Sequence, residues 1–344
     1  MQTKQRPRVQ IKTPGELIAA VPHLLGFVPE ESLVICSHRS PLTGELGICV
    51  RTDIPPPKDY RALAEQLSVP ILRSNAATVT VVIVSQDEGR PPDKLPATGQ
   101  VEALVGVFAG CGVLVDHSLW TPKITADSPW WCYDAMECSG TVPDPRATEL
   151  AAMTVAHGAT TYRSREEMRA TLEPGNSRML AARSERIAMA LRQQPDPAYA
   201  QRLVEAVIAD IREGQGGLDE DRIVDLTVAL VHEEVRDSCL RPEVIELGQA
   251  VQDLWLDLTR ATPVPYRAEA AGLLAATAFL HGNGPLAGVA IDAALDANRG
   301  HRLSKMLRCA MDLGLSPEGF ADIVARGLVG VDNPFGPNTN PRRY

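Results

Sequence analysis

The segment Pro143 to Pro145 divides this sequence into two parts with different periodicity. Almost every segment typical of a β-strand lies before it, and almost everything after it has helical spacing. This predicts an α/β (mixed) N-terminal half with a central β-sheet, followed by an all-α helical C-terminal half. We expect domains at 13–145 and 146–330. Because ligand sites favour domain interfaces, we also expect a site between these halves.

Length and composition favour a protein with two domains. The chain has 344 residues, of which 44% are hydrophobic and 22% charged, whereas one domain usually has about 100 to 200 residues.

Its net charge of −9 argues against nucleic acid as the main partner. Seven scattered cysteines are typical of reduced thiols in the cytoplasm, and no apolar run is long enough for a membrane span. We predict a cytoplasmic protein without a cofactor, a flexible start at 1–12 and a disordered tail at 331–344.

The first half contains the strand patterns. Ser32–Cys36 and Leu46–Thr52 predict a hairpin, since both are rich in β-formers and a polar, Gly-containing loop joins them. Thr78–Ser85 is apolar throughout and predicts a central strand. Lys123–Thr125 and Trp130–Tyr133 predict a last hairpin, with its turn at the Asp, Ser and Pro between them.

The second half consists of helical patterns separated by caps and breakers. Helices are predicted at about 197–212, 219–237, 242–260, 266–281, 285–298, 302–313 and 317–327. At 266–298 the small residues Ala275, Ala287 and Ala294 would let two helices approach closely, as in one tetratricopeptide-like repeat. An ordinary antiparallel pair in an irregular bundle is the alternative, because stable repeat arrays need at least about three units.

Two pairs of charged residues form a candidate polar site. Arg51 and Asp53 lie at the exit of a predicted strand, where side chains of α/β sheets often meet ligands. Arg236 and Asp237 end a predicted helix in the other half, from which they could face the first pair. A charged strand end like that of Arg51 and Asp53 is also commonplace, and Arg236 and Asp237 could equally be a local ion pair with little energetic consequence.

Trp130 and Asn283 are further candidate ligand-binding residues. Trp130 and Trp131 are neighbours in a predicted strand, so their side chains point to opposite faces of the sheet. An exposed indole would indicate a contact surface, and full burial between the two domains is the alternative. Asn283 lies between two glycines, but a helix rather than a strand precedes it, which argues against a phosphate loop. We expect Gly282 just past a helix C terminus, with Pro285 starting the next helix.

Five segments resemble one known family. They are Pro14–Val34, Arg51–Pro55, Ser164–Glu167, Val235–Asp237 and His281–Ala290. Together they are similar to DUF4192, an actinobacterial domain of unknown function, over about 13–327. The resemblance implies a cytoplasmic two-part protein from an actinobacterium or one of its phages, and it implies no activity and no catalytic residue.

The cysteines in and just after the last predicted strand offer the only metal alternative in the sequence. The resemblance implies a Tyr-x-Cys and a Cys-Cys-Pro in this region, and Cys132 and Cys138 retain only part of that pattern. Five residues separate them, a wider spacing than in a zinc knuckle. His117 and His157 could complete four ligands only if the fold brings them in. Ordinary thiols are the simpler interpretation, and we predict no metal.

These patterns favour an accessory or regulatory binding protein that uses the interface of its halves or its helical surface. The expected partner is a protein or peptide on the helical half, with no nucleic acid and no membrane. An enzyme, either a hydrolase or a transferase with Arg51, Asp53, Arg236 and Asp237 as its polar centre, is the alternative. However, the chain has no nucleophile elbow and no paired metal-binding histidines. A homo-oligomerising structural protein is the third possibility, and the sequence leaves the oligomeric state open.

Overall fold

The chain divides into two compact units in the computed structural model. The structure describes residues 11–40, 46–86, 94–135, 137–156 and 160–328. The first unit, here called the sheet unit, comprises Met1–Glu167 and Asp312–Gly314. The second, the helical unit, comprises Met168–Met311 and Leu315–Tyr344.

The domain limits given by the sequence pattern, 13–145 and 146–330, stay a prediction. The flexible start expected at 1–12 falls, up to residue 10, outside the described residues. So does the disordered tail expected at 331–344.

The sheet unit is built on six strands in the order β2-β1-β3-β4-β5-β6. The strands are β1 Ser32–His38, β2 Leu46–Asp53, β3 Thr78–Val84, β4 Leu114–Thr121, β5 Pro129–Cys132 and β6 Ser139–Thr141. β3 and β4 are parallel, and the other neighbours are antiparallel. The mixed sheet confirms the predicted fold class and the β1–β2 hairpin. β3 lies inside the sheet and is buried along its whole length, as its apolar pattern predicted.

Among the described residues of the sheet unit, four helices of eight or more residues accompany the sheet. They are α1 Pro14–Leu25, α2 Tyr60–Arg73, α3 Thr98–Gly110 and α4 Glu149–Ala156. Alternate residues of the inner strands, such as Leu33 and Val81, form one apolar core with Ile71 of α2 and Phe108 of α3. Since strand side chains alternate between faces, α2 and α3 cover the same face of the sheet.

For the last predicted hairpin, the prediction of the first strand is wrong. Lys123–Thr125 is not a strand, and β5 pairs with the end of β4, where Trp131 lies opposite Trp120. The proline that follows Thr121 has no N–H group and cannot continue the ladder. The Thr121 hydroxyl donates instead to the Lys123 carbonyl at 2.9 Å, which closes the turn.

The remaining helices follow α4 in the second half of the chain, as the helical spacing predicted. They are α5 Arg165–Ala170, α6 Ser177–Arg192, α7 Pro197–Arg212, α8 Glu220–Ala229, α9 Glu233–Ser238, α10 Pro242–Ile245, α11 Gln249–Ala261, α12 Arg267–Leu280, α13 Gly284–Ala297, α14 Arg302–Asp312 and α15 Pro317–Leu328. Among the described residues, none of the helices is long and apolar enough to cross a membrane.

Two of the predicted helices are each two helices in the structure. The pattern at 219–237 is split into α8 and α9, and that at 242–260 into α10 and α11. Gly248 separates the second pair and has a φ of 63°, which is outside the helical region. The apolar spacing alone predicted one continuous helix across each break, so the observed helices are shorter than predicted.

Helices α12 and α13 pack along each other through small residues. Ala275, Ala287 and Ala294 are fully buried, which is consistent with the close approach that their size allows. Gly282 has a φ of 80° just after α12, and Pro285 lies in the first turn of α13, as the sequence predicted. Whether this pair is one member of a repeat stays a prediction.

Candidate functional site

Arg236 lies at the centre of a mostly buried polar network in the helical unit. Its side chain is only 7% exposed. Nε and Nη2 donate to Oδ1 of Asp237 at 2.9 and 2.7 Å, and Nη1 donates to Oε2 of Glu269 at 3.1 Å. Because a buried guanidinium is costly without a counter-charge, the two carboxylates make this position possible.

His301 extends the network from Glu269 to Ser304. Its Nε2 atom lies 3.0 Å from Oε2 of Glu269, and its Nδ1 atom lies 2.8 Å from the Ser304 hydroxyl. The Ser304 backbone N–H also donates to Nδ1, so this nitrogen is the acceptor. The ring proton is therefore on Nε2 and is donated to Glu269. We call Arg236, Asp237, Glu269, His301 and Ser304 the Arg236 network.

Three helices and one glycine position these side chains. Arg236 and Asp237 lie in α9, Glu269 in α12, and His301 directly before α14. Gly272 is one turn after Glu269 on α12, and a Cβ atom there would overlap the His301 ring. The missing side chain at this glycine therefore lets the imidazole reach Glu269.

Within the network, Glu269 and Arg236 are both charged at neutral pH. Burial raises the pKa of Glu269, but the hydrogen bonds from His301 and Arg236 and the positive charge of Arg236 outweigh it, so the pKa is below its usual value. Burial lowers the pKa of Arg236, but Asp237 and Glu269 more than compensate and raise it. Arg236 and Glu269 therefore form an ion pair.

Glu269, His301 and Ser304 have the connectivity of an acid–base–hydroxyl relay, which activates a nucleophile in many hydrolases. Here Ser304 is fully buried and His301 is 3% exposed. A nucleophile must reach its substrate, and this hydroxyl is enclosed by packed helices. The arrangement therefore serves to join α9, α12 and α14.

Sequence analysis identified only part of this network. It singled out Arg236 and Asp237, and the structure confirms the local ion pair that was one interpretation of them. It missed Glu269, His301 and Ser304, which lie far along the chain and form no motif. The one available signal in the sequence was Glu269 itself. It is a carboxylate near the start of the apolar segment that forms the largely buried helix α12.

A groove on the helical unit is lined mainly by apolar side chains. Its volume is about 250 Å³, and α10, α12 and α15 supply most of its walls. The lining residues are Leu240, Pro242, Ile245, Glu246, Leu280, Pro317, Glu318, Ala321, Val324 and Ala325. Pockets for small molecules usually have about 300 to 1,000 Å³, so this groove is suited to a few side chains. We call it the α15 groove.

The family model described as "Domain of unknown function (DUF4192)" matches residues 14–318. The chain belongs to the DUF4192 family. The match includes the complete Arg236 network and ends at the start of α15. No curated protein and no solved structure matches the chain.

Arg51 and Asp53 of this DUF4192 protein form an ion pair at the end of β2. Nη2 of Arg51 lies 2.7 Å from Oδ1 of Asp53, whose side chain is 81% exposed. Nε of Arg51 donates to the Ser32 hydroxyl at 2.8 Å, and its guanidinium lies 6.0 Å from the centre of the Phe27 ring. These contacts fasten the end of β2 to the start of β1. A site shared with Arg236 and Asp237 stays a prediction.

Trp130 is 7% exposed and is packed inside the sheet unit. Its Nε1 donates to the Thr141 carbonyl at 3.3 Å, and its ring lies against Gly140 and Gly15. Trp131 points to the other face, where it packs against Trp120 with 5.4 Å between the ring centres. Both indoles therefore have packing partners within the sheet unit, and ligand binding by Trp130 stays a prediction.

Asn283 caps α13. Its side-chain oxygen accepts a hydrogen bond from the Leu286 N–H at 3.2 Å, in the manner of a helix N-cap. Its own N–H donates to the Ala278 carbonyl at 2.8 Å. A structural role thus accounts for an asparagine between two glycines, and ligand binding by Asn283 stays a prediction.

Cys132 ends β5, and Cys138 lies directly before β6. The Cys132 N–H donates to the Cys138 carbonyl at 2.9 Å, and burial raises the pKa of the Cys132 thiol. His117 is exposed on β4, and His157 lies outside the described residues. Within the part of the chain that the structure describes, no three His, Cys, Asp or Glu side chains come together for a metal ion.

Proposed function

We propose that this DUF4192 protein is an accessory or regulatory binding protein, and that the α15 groove receives the apolar side of a partner helix. The observation that carries the proposal is the composition of the groove, since eight of its ten lining residues are apolar. Helix-in-groove recognition needs such a surface for anchor side chains at helical spacing.

The shape of the groove favours a helix over a compact ligand. Ala321 and Ala325 are exposed and lie one turn apart on α15. Their small side chains leave room for a partner backbone to approach. Val324 and Leu280 are partly buried beside them and provide apolar contact area.

The charge of the groove favours a basic partner. Glu246 and Glu318 are exposed and belong to the lining. The whole chain has a net charge of −9, so its long-range field also attracts cations. Lysine or arginine residues beside the apolar anchors would be complementary, which increases the association rate and the specificity. The proposed partner is therefore a basic amphipathic helix.

The experiment is a fluorescence titration of the full chain with a labelled peptide of leucine and lysine. Its leucines recur at i, i+3, i+4 and i+7, and a control peptide of the same composition has them scattered around the helix. We expect saturable binding of the first peptide and at least about tenfold weaker binding of the second, a difference of about 1.4 kcal/mol. Equal binding of both peptides, or no saturation, would contradict the proposal.

A further inference from the structure

Two cysteine side chains meet across neighbouring strands of the sheet unit. Cys36 of β1 lies directly opposite Cys49 of β2 in the antiparallel register. Their sulfur atoms are 3.0 Å apart. Sequence analysis treated both as isolated thiols, because only the register of the hairpin brings them together.

The backbone geometry already suits a covalent link. Directly opposed residues of antiparallel strands have Cα atoms about 4.5 or 5.5 Å apart, depending on their hydrogen bonding. Disulfides span Cα separations of about 4.4 to 6.8 Å. The direct opposition of Cys36 and Cys49 in β1 and β2 therefore places their Cα atoms in the range that a disulfide spans.

The two thiols differ in access. Cys36 is buried, whereas Cys49 is partly exposed on β2, the strand at the edge of the sheet. A small reagent can reach Cys49 from solvent, whereas Cys36 is fully buried. The hydrogen bond with Cys36 and burial raise the pKa of the Cys49 thiol, so access rather than thiolate content decides which thiol reacts first and which one resolves the intermediate.

We propose that Cys36 and Cys49 form a redox modification site, at which a low-molecular-weight disulfide oxidises the pair to a cross-strand disulfide. The Cys49 thiol loses its proton and attacks one sulfur of the reagent, which forms a mixed disulfide and releases one thiolate. Cys36 then loses its proton and attacks the Cys49 sulfur, which releases the second thiolate. Two protein thiols become one disulfide, and the reagent is reduced to two thiols.

The disulfide would fasten the edge of the sheet. β2 pairs with β1 on one side only, and edge strands are the part of a sheet most open to pairing with other chains. A covalent link in the middle of β2 holds it to β1 in one register. We expect the backbone amides of β2 to exchange with solvent more slowly in the oxidised protein than in the reduced one.

The test uses the full chain with the exposed cysteines removed as Cys111→Ser and Cys309→Ser. Reduced protein is incubated with oxidised glutathione, quenched with N-ethylmaleimide, and analysed by intact mass and peptide mapping. We expect the loss of two thiols, no added glutathione, and a cross-link between the peptides of Cys36 and Cys49. A cross-link between Cys132 and Cys138 alone, or no cross-link at all, would overturn the proposal.

Two variants test the order of the steps. With Cys36→Ser added, we expect Cys49 to retain one glutathione, since no resolving thiol remains. With Cys49→Ser added, we expect neither a cross-link nor glutathione on Cys36. Glutathione on Cys36 in the Cys49→Ser variant, or an unmodified Cys49 in the Cys36→Ser variant, overturns this order of the steps. The mapping of the protein that retains both cysteines decides the proposal even if a variant fails to fold.

Discussion

The Nε2 atom of His301 lies 3.0 Å from the Oε2 atom of Glu269, and the same carboxylate oxygen accepts a hydrogen bond from Arg236. One oxygen atom thus connects α9, α12 and the start of α14. Both donors meet it in a mostly buried environment. This contact is a mostly buried polar link within the helical unit, and its loss should be costly.

The first prediction concerns Gly272. In a helix interior, Gly→Ala normally stabilises by up to about 1 kcal/mol. At Gly272 the new methyl would overlap the His301 ring, and overpacking costs about 1 to 3 kcal/mol. We therefore expect Gly272→Ala to lower the free energy of unfolding, measured by urea denaturation. Gly288→Ala in α13 is the matched control, because no atom lies within 4 Å of its added Cβ. If both variants are stabilised, Gly272 does not hold His301 in place.

The second prediction compares two carboxylates that each pair with an arginine. Glu269 is 19% exposed and Asp53 is 81% exposed. Glu269→Gln leaves Arg236 with a weakened counter-charge in a buried position, and breaking a buried pair costs about 3 to 5 kcal/mol. Asp53→Asn breaks an exposed pair, which is worth about 0 to 1 kcal/mol. Urea denaturation at neutral pH should show the larger loss for Glu269→Gln, and losses of the same size would contradict the account.

The third prediction is the pH dependence of the unfolding free energy that Glu269→Gln loses. The pKa of Glu269 is lower in the folded protein than its usual value, so its stabilising contribution is complete above the unfolded pKa of about 4.3. This contribution disappears as the pH falls through the lower, folded pKa. The difference in unfolding free energy between the wild type and Glu269→Gln should therefore shrink as the pH falls below about 4. A difference that stays constant down to the lowest pH at which both proteins fold would exclude this role of Glu269.

Local patterns in the sequence predicted the fold class but not the network. The apolar run of β3 and the caps around Gly282 are local signals, and the structure confirms both. Arg236 and Asp237 are adjacent in sequence, so their ion pair was also within reach of local reasoning. Glu269 and His301 are 32 residues apart, and only the packing of α12 against its neighbours brings them together.

The same limit explains the errors in the strands and the cysteines. Lys123–Thr125 has a short β-like pattern, but the strand that pairs with Trp131 is the end of β4, at Trp120. Cys36 and Cys49 are 13 residues apart, and their contact depends on the exact register of β1 and β2. Register depends on turn geometry and on which face is buried, and the sequence pattern predicts it only when both are known.

The central claim is that the α15 groove binds a basic amphipathic helix, and one pair of variants tests it most directly. Ala321→Arg places a long cationic side chain in the groove, whereas Ala182→Arg makes the same change at an exposed alanine of α6 outside it. The measurement is the Kd of the labelled leucine–lysine peptide, with circular dichroism as the folding control. The account predicts at least about tenfold weaker binding for Ala321→Arg and a change of less than about twofold for Ala182→Arg. Wild-type affinity in Ala321→Arg would contradict it.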